Sequence, residues 1–458
     1  MNPFVILATA IVVVVGMILV LRMNAFLALI TAALLVSLLS PGEAAAKVTR
    51  VAEAFGSVAG AIGIVIALAS ITGKCLMDSG AADRIVRSFL RVLGEKHAAW
   101  ALLGSAFVLS IPVFFDTVFY LLAPLARSLW KRTRRDYVLY VAAIVAGAAT
   151  THTLVPPTPG PLFAAERFNI DLGLMIVIGI LVGLPTAMIA MGVCGIINRF
   201  MDVPMRRYSG QAETEPLPDE QLPPLWLSLL PVVLPVLLIS THTVAKALSG
   251  TQDGSRFAQK FVGVTAILGN PNLALLVSAV IAMGLVVWKQ KLSLKQLTEN
   301  VDGALMSGGI VILITAGGGA LGAMLRVAGI QESVGRLVSS GGHTVGVLIL
   351  VLAFLVAGVM KFAQGSSTVS IITTASMFAA MGITPEMLGC HPVYLATTIC
   401  SGSLVGDWLN DSGFWVVARM SGLTEVEMLK SFTVITGVVG LSGFSVTLIL
   451  SRLLPLAR

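Results

Sequence analysis

What most restricts this chain is a succession of apolar runs, each about as long as a bilayer is thick. Such runs occupy residues 3–21, 25–40, 55–73, 172–197, 225–247, 270–288, 303–325 and 431–453. About 20 apolar residues in helical form span the ~30 Å hydrocarbon layer. In lipid every backbone polar group must be paired within the segment, so runs of this kind fold as helices. The chain is therefore expected to be an all-α polytopic membrane protein. Composition enters at one point: 56% of the 458 residues are apolar and 12% charged, with a mean hydropathy of +0.93. No water-soluble globule hides that much apolar surface. Disordered, collagen-like and disulfide-scaffold folds fail on the same figures. At this length about a dozen crossings fit, with no room for a large soluble domain.

The net charge of +7 does not describe a nucleic-acid-binding face. The Lys and Arg residues sit in short connectors between apolar runs, the distribution that orients spans in a bilayer. The densest group, Arg127, Lys131, Arg132, Arg134 and Arg135, is assigned to the cytoplasmic side. Propagating from it places 22–24, Arg84–Lys96, 198–224 and 289–302 on that side and both termini on the other. Of the 30 basic residues, 19 are then cytoplasmic and 10 outside, and Lys361 lies within the membrane. The N-terminal MNPFVILATAIVVVVGMILVLRMN lacks a basic start and a convincing small-residue cleavage site, so it reads as a retained first span. Cys75, Cys194, Cys390 and Cys400 form no CxxC and no pattern with His; they read as buried thiols.

Four further apolar stretches, 98–126, 137–168, 344–381 and 391–419, carry Pro, Gly, Ser, Thr or Asp where a plain span carries Leu or Val. Such breaks survive at membrane depth only where protein or a water-filled cavity satisfies the freed backbone groups. They also recur in order. GIVIALASITG (63–73) resembles GIVILITAGGG (309–319), and IPVFFDTVFYLLAPLA (111–126) falls opposite MKFAQGSSTVSIITTASMFA (360–379). AAIVAGAATTHTLVPPTPGPLF (142–163) falls opposite LATTICSGSLVGDWLNDSGFW (395–415). The shared offset of about 250 residues predicts two inverted repeats, a common plan in secondary transporters. About ten transmembrane helices and two re-entrant hairpins result. Residues 1–202 hold hairpin 98–126 and broken helix 137–168; residues 225–458 hold hairpin 344–381 and broken helix 391–419. The polar, Pro-rich 203–224 between them is expected to be a flexible cytoplasmic linker.

Chemistry is expected at the interruptions. Asp116 lies in the tip Ile111–Thr117, and an acid at mid-membrane costs several kcal/mol unless paired, neutralised or hydrated. It also precedes an apolar helical run whose free N–H groups it could cap. Pro156, Pro157, Pro159 and Pro161 predict unwound backbone across Thr150–Pro161, and exposed helix-end N–H groups there suit an anion. His152 in that stretch is either a proton or carboxylate partner or a satisfied core residue. The second tip, Gln364–Thr368, offers hydroxyls that suit a polyol or carboxylate. The second break carries Asp407 and Asp411, hard to explain as packing unless one lies at an aqueous mouth. Lys361 either pairs with an acid, attracts an anion or snorkels to the outer surface. The substrate-binding candidates are thus Thr117, His152, Thr158, Ser366, Ser367, Thr368 and Asn410. The proton-coupling candidates are Asp116, first, then Asp407 and Asp411. No metal-ligand spacing such as HExxH occurs. Gly317–Gly322 fits GxGxxG without a strand or βαβ unit and reads as helix packing, and Gly73–Lys74–Cys75 lacks the spacing of a Walker loop. His97, His242, His343 and His391 fall near span ends.

The strings IPVFFDTVFYLLAPLA, AAIVAGAATTHTLVPPTPGP and GSLVGDWLNDSGFW resemble the gluconate permease (gluconate:proton symporter) family of the ion-transporter superfamily, nearly end to end. The resemblance implies import of gluconate or a related sugar acid by proton symport across the bacterial inner membrane. It implies no cofactor, the proton gradient as energy source, and a small anion, protons and the lipid bilayer as partners. Family members also take glycerate, ketogluconates or D-serine. Sodium-coupled relatives carry Ser-Asn-Thr at both tips, where this chain has Phe-Asp-Thr and Ser-Ser-Thr; an ionisable tip fits protons and leaves sodium open. Two other readings compete, a passive anion channel and an intramembrane enzyme built on Asp407 and Asp411. Whether subunits form a homo-oligomer is left open by the sequence.

Overall fold

The computed structural model describes residues 2–21, 23–201, 203–206, 218–249, 256–330, 344–409 and 411–456, and all its regular elements there are helical. The first half opens with α1 (Pro3–Leu19), α2 (Ala25–Leu39), the long α3 (Ala46–Asp78) and α4 (Ala81–Leu93). A helix–tip–helix follows, α5 (Ala98–Leu109) and α6 (Phe115–Thr133), then a broken helix, α7 (Tyr137–Leu154) and α8 (Pro159–Arg167), and then α9 (Leu172–Phe200). The second half begins with α10 (Leu225–Ser249), α11 (Arg256–Leu268), α12 (Pro271–Gln290) and α13 (Leu294–Val327). Its helix–tip–helix is α14 (Thr344–Gln364) and α15 (Ser367–Ala380). After the short α16 (Pro385–Leu388) its broken helix is α17 (Val393–Gly402) and α18 (Ser412–Ser421), followed by α19 (Glu425–Lys430) and α20 (Phe432–Leu453).

The interruptions fall where polar and helix-breaking residues sit inside apolar runs. One expectation needs correction. The backbone does not unwind from Thr150: α7 continues through His152 to Leu154, and only 155–158 are non-helical. Pro159 and Pro161 sit in the first turn of α8, where a missing N–H breaks no intrahelical bond.

Among the described residues seven segments are long and apolar enough to cross a membrane: α3, α7 with α8, α9, α10, α12, α13 and α19 with α20. Two of the ten expected crossings, α1 and α2, reach only 17 and 15 residues. At 1.5 Å per residue they fall short of a ~30 Å layer, and Ser40-Pro41-Gly42 ends the second. A third, 391–419, is split into two ten-residue helices.

The halves pack their equivalent pieces alike. On α7, a methyl at Gly147 would come within 2.3 Å of the Leu103 carbonyl oxygen of α5; on α17, one at Gly402 would come within 2.4 Å of the Phe354 carbonyl oxygen of α14. Backbones this close leave no space for a side chain. The long α3 and α13 pack on each other, with Gly308 against Ser70 and Gly63 against Ile312.

One end of the molecule gathers the basic connectors assigned above to the cytoplasm. The described residues 203–206 and 218–224 make polar contacts there. Arg84 donates to the carbonyls of Pro223 (2.8 Å) and Asp219 (2.7 Å). Arg87 and Arg91 pair with the Asp219 carboxylate at 2.6 and 2.9 Å. The hydrogen bond from Arg87 holds that carboxyl below the usual carboxylate range. At the other described end Arg206 pairs with Glu427 (2.6 Å). The physical reason is local: the segment brings its own Asp219 and Arg206 to a surface rich in partners.

Candidate functional site

The two tips, the last turns of α7 and the second break line a cavity of about 410 Å³. From the first half, α6 contributes Asp116 and Thr117, preceded by Phe114, and the last turn of α7 contributes His152 and Thr153. From the second half come Ser366, Ser367 and Thr368 at the tip and Asp407, Asp411 and Ser412 at the break. Ser307, Val311 and Ile314 of α13 and Phe432 and Thr436 of α20 close the wall. Three helices therefore begin at this cavity, α6, α15 and α18, each bringing first-turn N–H groups and the positive end of its dipole.

The first side is sparsely bonded. The cap of α6 is Phe114, extended and without a side-chain cap bond, so Asp116 occupies the second helical position instead of serving as the cap. Among the described residues Asp116 forms no ion pair with the first break. The charges that act on it come from Asp411 and Lys361 across the cavity. Phe114 meets the His152 ring edge-on, centroids 6.0 Å apart, and His152 Nδ1 is buried without a hydrogen-bond partner.

The second side is densely bonded. Ser366 caps α15, its hydroxyl accepting from the Val369 N–H at 3.4 Å, after a tight turn in which Gly365 takes φ +74°. Asp411 caps α18, one carboxylate oxygen accepting from the Phe414 N–H at 3.0 Å. Its other oxygen accepts from Lys361 Nζ at 2.5 Å. Lys361, 1% exposed, also pairs with Asp407 and donates to the Gly365 carbonyl at 3.0 Å. Two of its protons therefore have hydrogen-bond acceptors, and Asp407 lies against it as an ion pair. The open choice for Lys361 is resolved: it pairs with acids and does not reach the surface.

Comparison with known proteins agrees with this architecture. The sequence-family model described as GntP family permease matches residues 2–453. The chain belongs to that family. It is 32% identical to an uncharacterized permease of Haemophilus influenzae, over 97% of this chain and 92% of that protein. It is 31% identical to a gluconate permease of Pseudomonas aeruginosa, over 98% of each chain. In fold it is similar to the YdaH transporter of Alcanivorax borkumensis, whose crystal structure is described as revealing an unusual topology. The TM-score is 0.62 at 15% identity, over 95% of this chain and 98% of the other. As a member of a permease family the protein is not an enzyme.

The GntP permease brings eight of the ten sequence-nominated residues to one cavity: Asp116, Thr117, His152, Ser366, Ser367, Thr368, Asp407 and Asp411. Thr158 is not among the lining residues. Its hydroxyl donates to the Val155 carbonyl at 2.7 Å, because the break leaves that carbonyl without a helical partner and Thr158 is the nearest donor. Asn410 lies outside the described residues. Sequence reasoning missed Thr153, Ser307, Ser412 and Thr436. Only Ser307 carried a usable signal, a hydroxyl beside Gly308–Gly309 inside an otherwise apolar run. Gly317–Gly322 is helix packing, with Gly318 on Ile372 of α15, Gly319 on Val58 and Gly322 on Ser376.

Proposed function

We propose that this permease imports gluconate or a related small sugar acid by proton symport with alternating access. It works in the bacterial inner membrane, takes the proton gradient as its energy source and uses no cofactor. The observation that carries the reading is the convergence of three helix N-termini and a rim of hydroxyls on a cavity that also holds an acid without an ion pair. Helix N-termini bind carboxylates, and Thr117, His152, Ser366, Ser367 and Thr368 supply hydrogen bonds for a polyol chain. A volume of about 410 Å³ lies at the small end of ligand pockets and holds a sugar acid with room to spare. The related Pseudomonas aeruginosa protein is named a gluconate permease.

Charge supports proton coupling. With every group ionised the site holds three carboxylates, Asp116, Asp407 and Asp411, against one ammonium, Lys361. An incoming carboxylate is repelled by that excess, and at low dielectric the repulsion is strong. Neutralising Asp116 removes one negative charge, so proton and anion each favour the other's binding, as linkage requires. Residues 1–202 and 225–458 act as two inverted repeats; the matching Gly147–Leu103 and Gly402–Phe354 contacts support that pairing. The tips then move against the α3–α13 pair to alternate access.

The test is uptake of labelled gluconate into proteoliposomes. The protein is expected to accumulate it uphill when the outside is made acid, and Asp116→Asn to lose that response while keeping substrate exchange. Accumulation by Asp116→Asn at the unmodified protein's rate would overturn the role of Asp116. Purely downhill flux would point to a channel, and a response to sodium alone would replace the coupling ion.

A further inference from the structure

The cavity ends where α15 settles onto α8 and α13. Its lining reaches Val369 on α15 and Ile314 on α13, and the residues that follow are packed. Gly160 of α8 lies on Ile371, Gly318 of α13 on Ile372 and Gly322 on Ser376. The Ser376 hydroxyl reaches the Gly318 carbonyl across this junction at 2.8 Å. Thr373 and Thr374 beside it are fully buried, and their hydroxyls have no partner among the described residues. Both α8 and α13 lead away from the basic connectors, so the junction closes the end assigned to the outside. At its far end lies Arg167, whose side chain is 8% exposed. The guanidinium rests on Gly319, where a methyl would come within 2.6 Å of a guanidinium nitrogen, and over the Phe163 ring at 5.2 Å. Beside it is the carboxylate of its chain neighbour Glu166, 3.1 Å from Nε, and that Nε makes no hydrogen bond among the described residues. Arg326 at the end of α13 adds a second positive charge acting on the same place. A second cavity, of about 210 Å³, takes Leu162, Ala165 and Glu166 from α8. At 3.6 residues per turn these positions face away from Gly160 and Arg167, so α8 has free volume on the side opposite the junction.

Resting on the transport reading above, we infer that Arg167 binds the substrate carboxylate in the outward-facing state, when α8 and α15 have slid off the glycine face of α13. The ammonium at the main cavity is engaged by Asp407 and Asp411, so it offers an incoming anion no free cation. Along α13, Gly319 lies five residues beyond Ile314, or about 7.5 Å at 1.5 Å per residue. Arg167 therefore stands on the outer approach to the cavity. A guanidinium presents a planar fork that fits a carboxylate with two hydrogen bonds. Kept buried with an unmade hydrogen bond, it costs free energy that an arriving anion recovers. The Thr373 and Thr374 hydroxyls lie along the same opening and suit the polyol part of the substrate. Glycines at 318, 319 and 322 leave α13 without side chains to obstruct the slide, and the cavity behind α8 gives that helix room to retreat.

The measurement is initial uptake of labelled gluconate into right-side-out membrane vesicles, with efflux from preloaded vesicles and thermal unfolding recorded for each variant. Arg167→Gln is expected to raise the KM for uptake about tenfold or more, the worth of a charged hydrogen bond. Its kcat for uptake and its KM for efflux are expected to change less than about threefold. Arg167→Lys keeps the charge without the fork and is expected to raise the uptake KM about threefold or more, short of the Arg167→Gln value. An arginine that only packs would lower kcat or the unfolding temperature and leave the uptake KM within about twofold; that result would overturn the inference. So would an equal rise in KM for uptake and efflux, which gives Arg167 no preference for the outward-facing state. Should Arg167→Gln fail to fold, Arg167→Lys decides, and an unchanged uptake KM in that variant overturns the inference as well. Failure of the unmodified protein to take up gluconate would sink the transport reading instead, and is read separately.

Discussion

At the first tip, Asp116 faces the cavity and forms no ion pair among the described residues, and Phe114 meets His152 of α7 edge-on at 6.0 Å. At the second tip, Lys361 holds Asp407 and Asp411, and Phe362 lies flat on Trp408 at 4.8 Å. Both regions share the same helix order and the same glycine-on-carbonyl seams, so the contrast lies in side chains alone. An acid without an ion pair can change its protonation state without breaking a bond network. An acid held by a buried ammonium loses that ion pair when it takes up a proton.

The largest expected effect comes from breaking the ion-paired side. Asp411→Ala uncaps α18 and removes one charged hydrogen bond from Lys361, which keeps Asp407; it is expected to destabilise the protein by about 2–4 kcal/mol, read by thermal unfolding in detergent. Asp116→Ala, by contrast, is expected to leave stability within about 1 kcal/mol, since no ion pair is lost. Equal losses would erase the contrast between the tips.

The shared seams come next. Gly147→Ala and Gly402→Ala each push a methyl onto a backbone carbonyl and are each expected to cost about 1–3 kcal/mol. Similar losses in the two variants sharpen the equivalence of the halves, and a large difference breaks it. Trp408→Ala removes a stacked pair and one hydrogen bond from the second side only, and is expected to cost about 1–2 kcal/mol. Its readout is a fall in unfolding temperature that a change at Phe114 does not match.

The smallest effect concerns the tie between the halves at the charged end. The Asp219 carboxyl is held low by Arg87, so its contribution is present at neutral pH and fades as pH falls through its native titration. The group is about half exposed, so screening limits the contribution to under about 1 kcal/mol. Asp219→Asn is expected to remove that acid-side loss, seen as a flatter dependence of unfolding temperature on pH.

The interruptions were legible because Pro, Gly and Asp inside an apolar run leave few alternatives, and eight of the ten nominated side chains reach the cavity for that reason. Lys361 was not legible. Its partners lie 46 and 50 positions further along the chain, and only folding brings them together. Thr158 misled because a hydroxyl in a break is as readily spent on a freed carbonyl as offered to a ligand. Thr436 lies in a span whose sequence gives no sign of which face turns inward. α1 and α2 match the apolar runs 3–21 and 25–40 to within two residues.

The position of Lys361 bears on how the polypeptide is made. Lys361 is translated before either acid that neutralises it, and Asp411 follows 50 residues later. At synthesis rates of about 5–20 residues per second, that ammonium waits roughly 3–10 s before its counter-ions leave the ribosome. Its helix must therefore stay near water or the insertion machinery until the later segment arrives, which makes integration of α14 a late, two-part event in biogenesis.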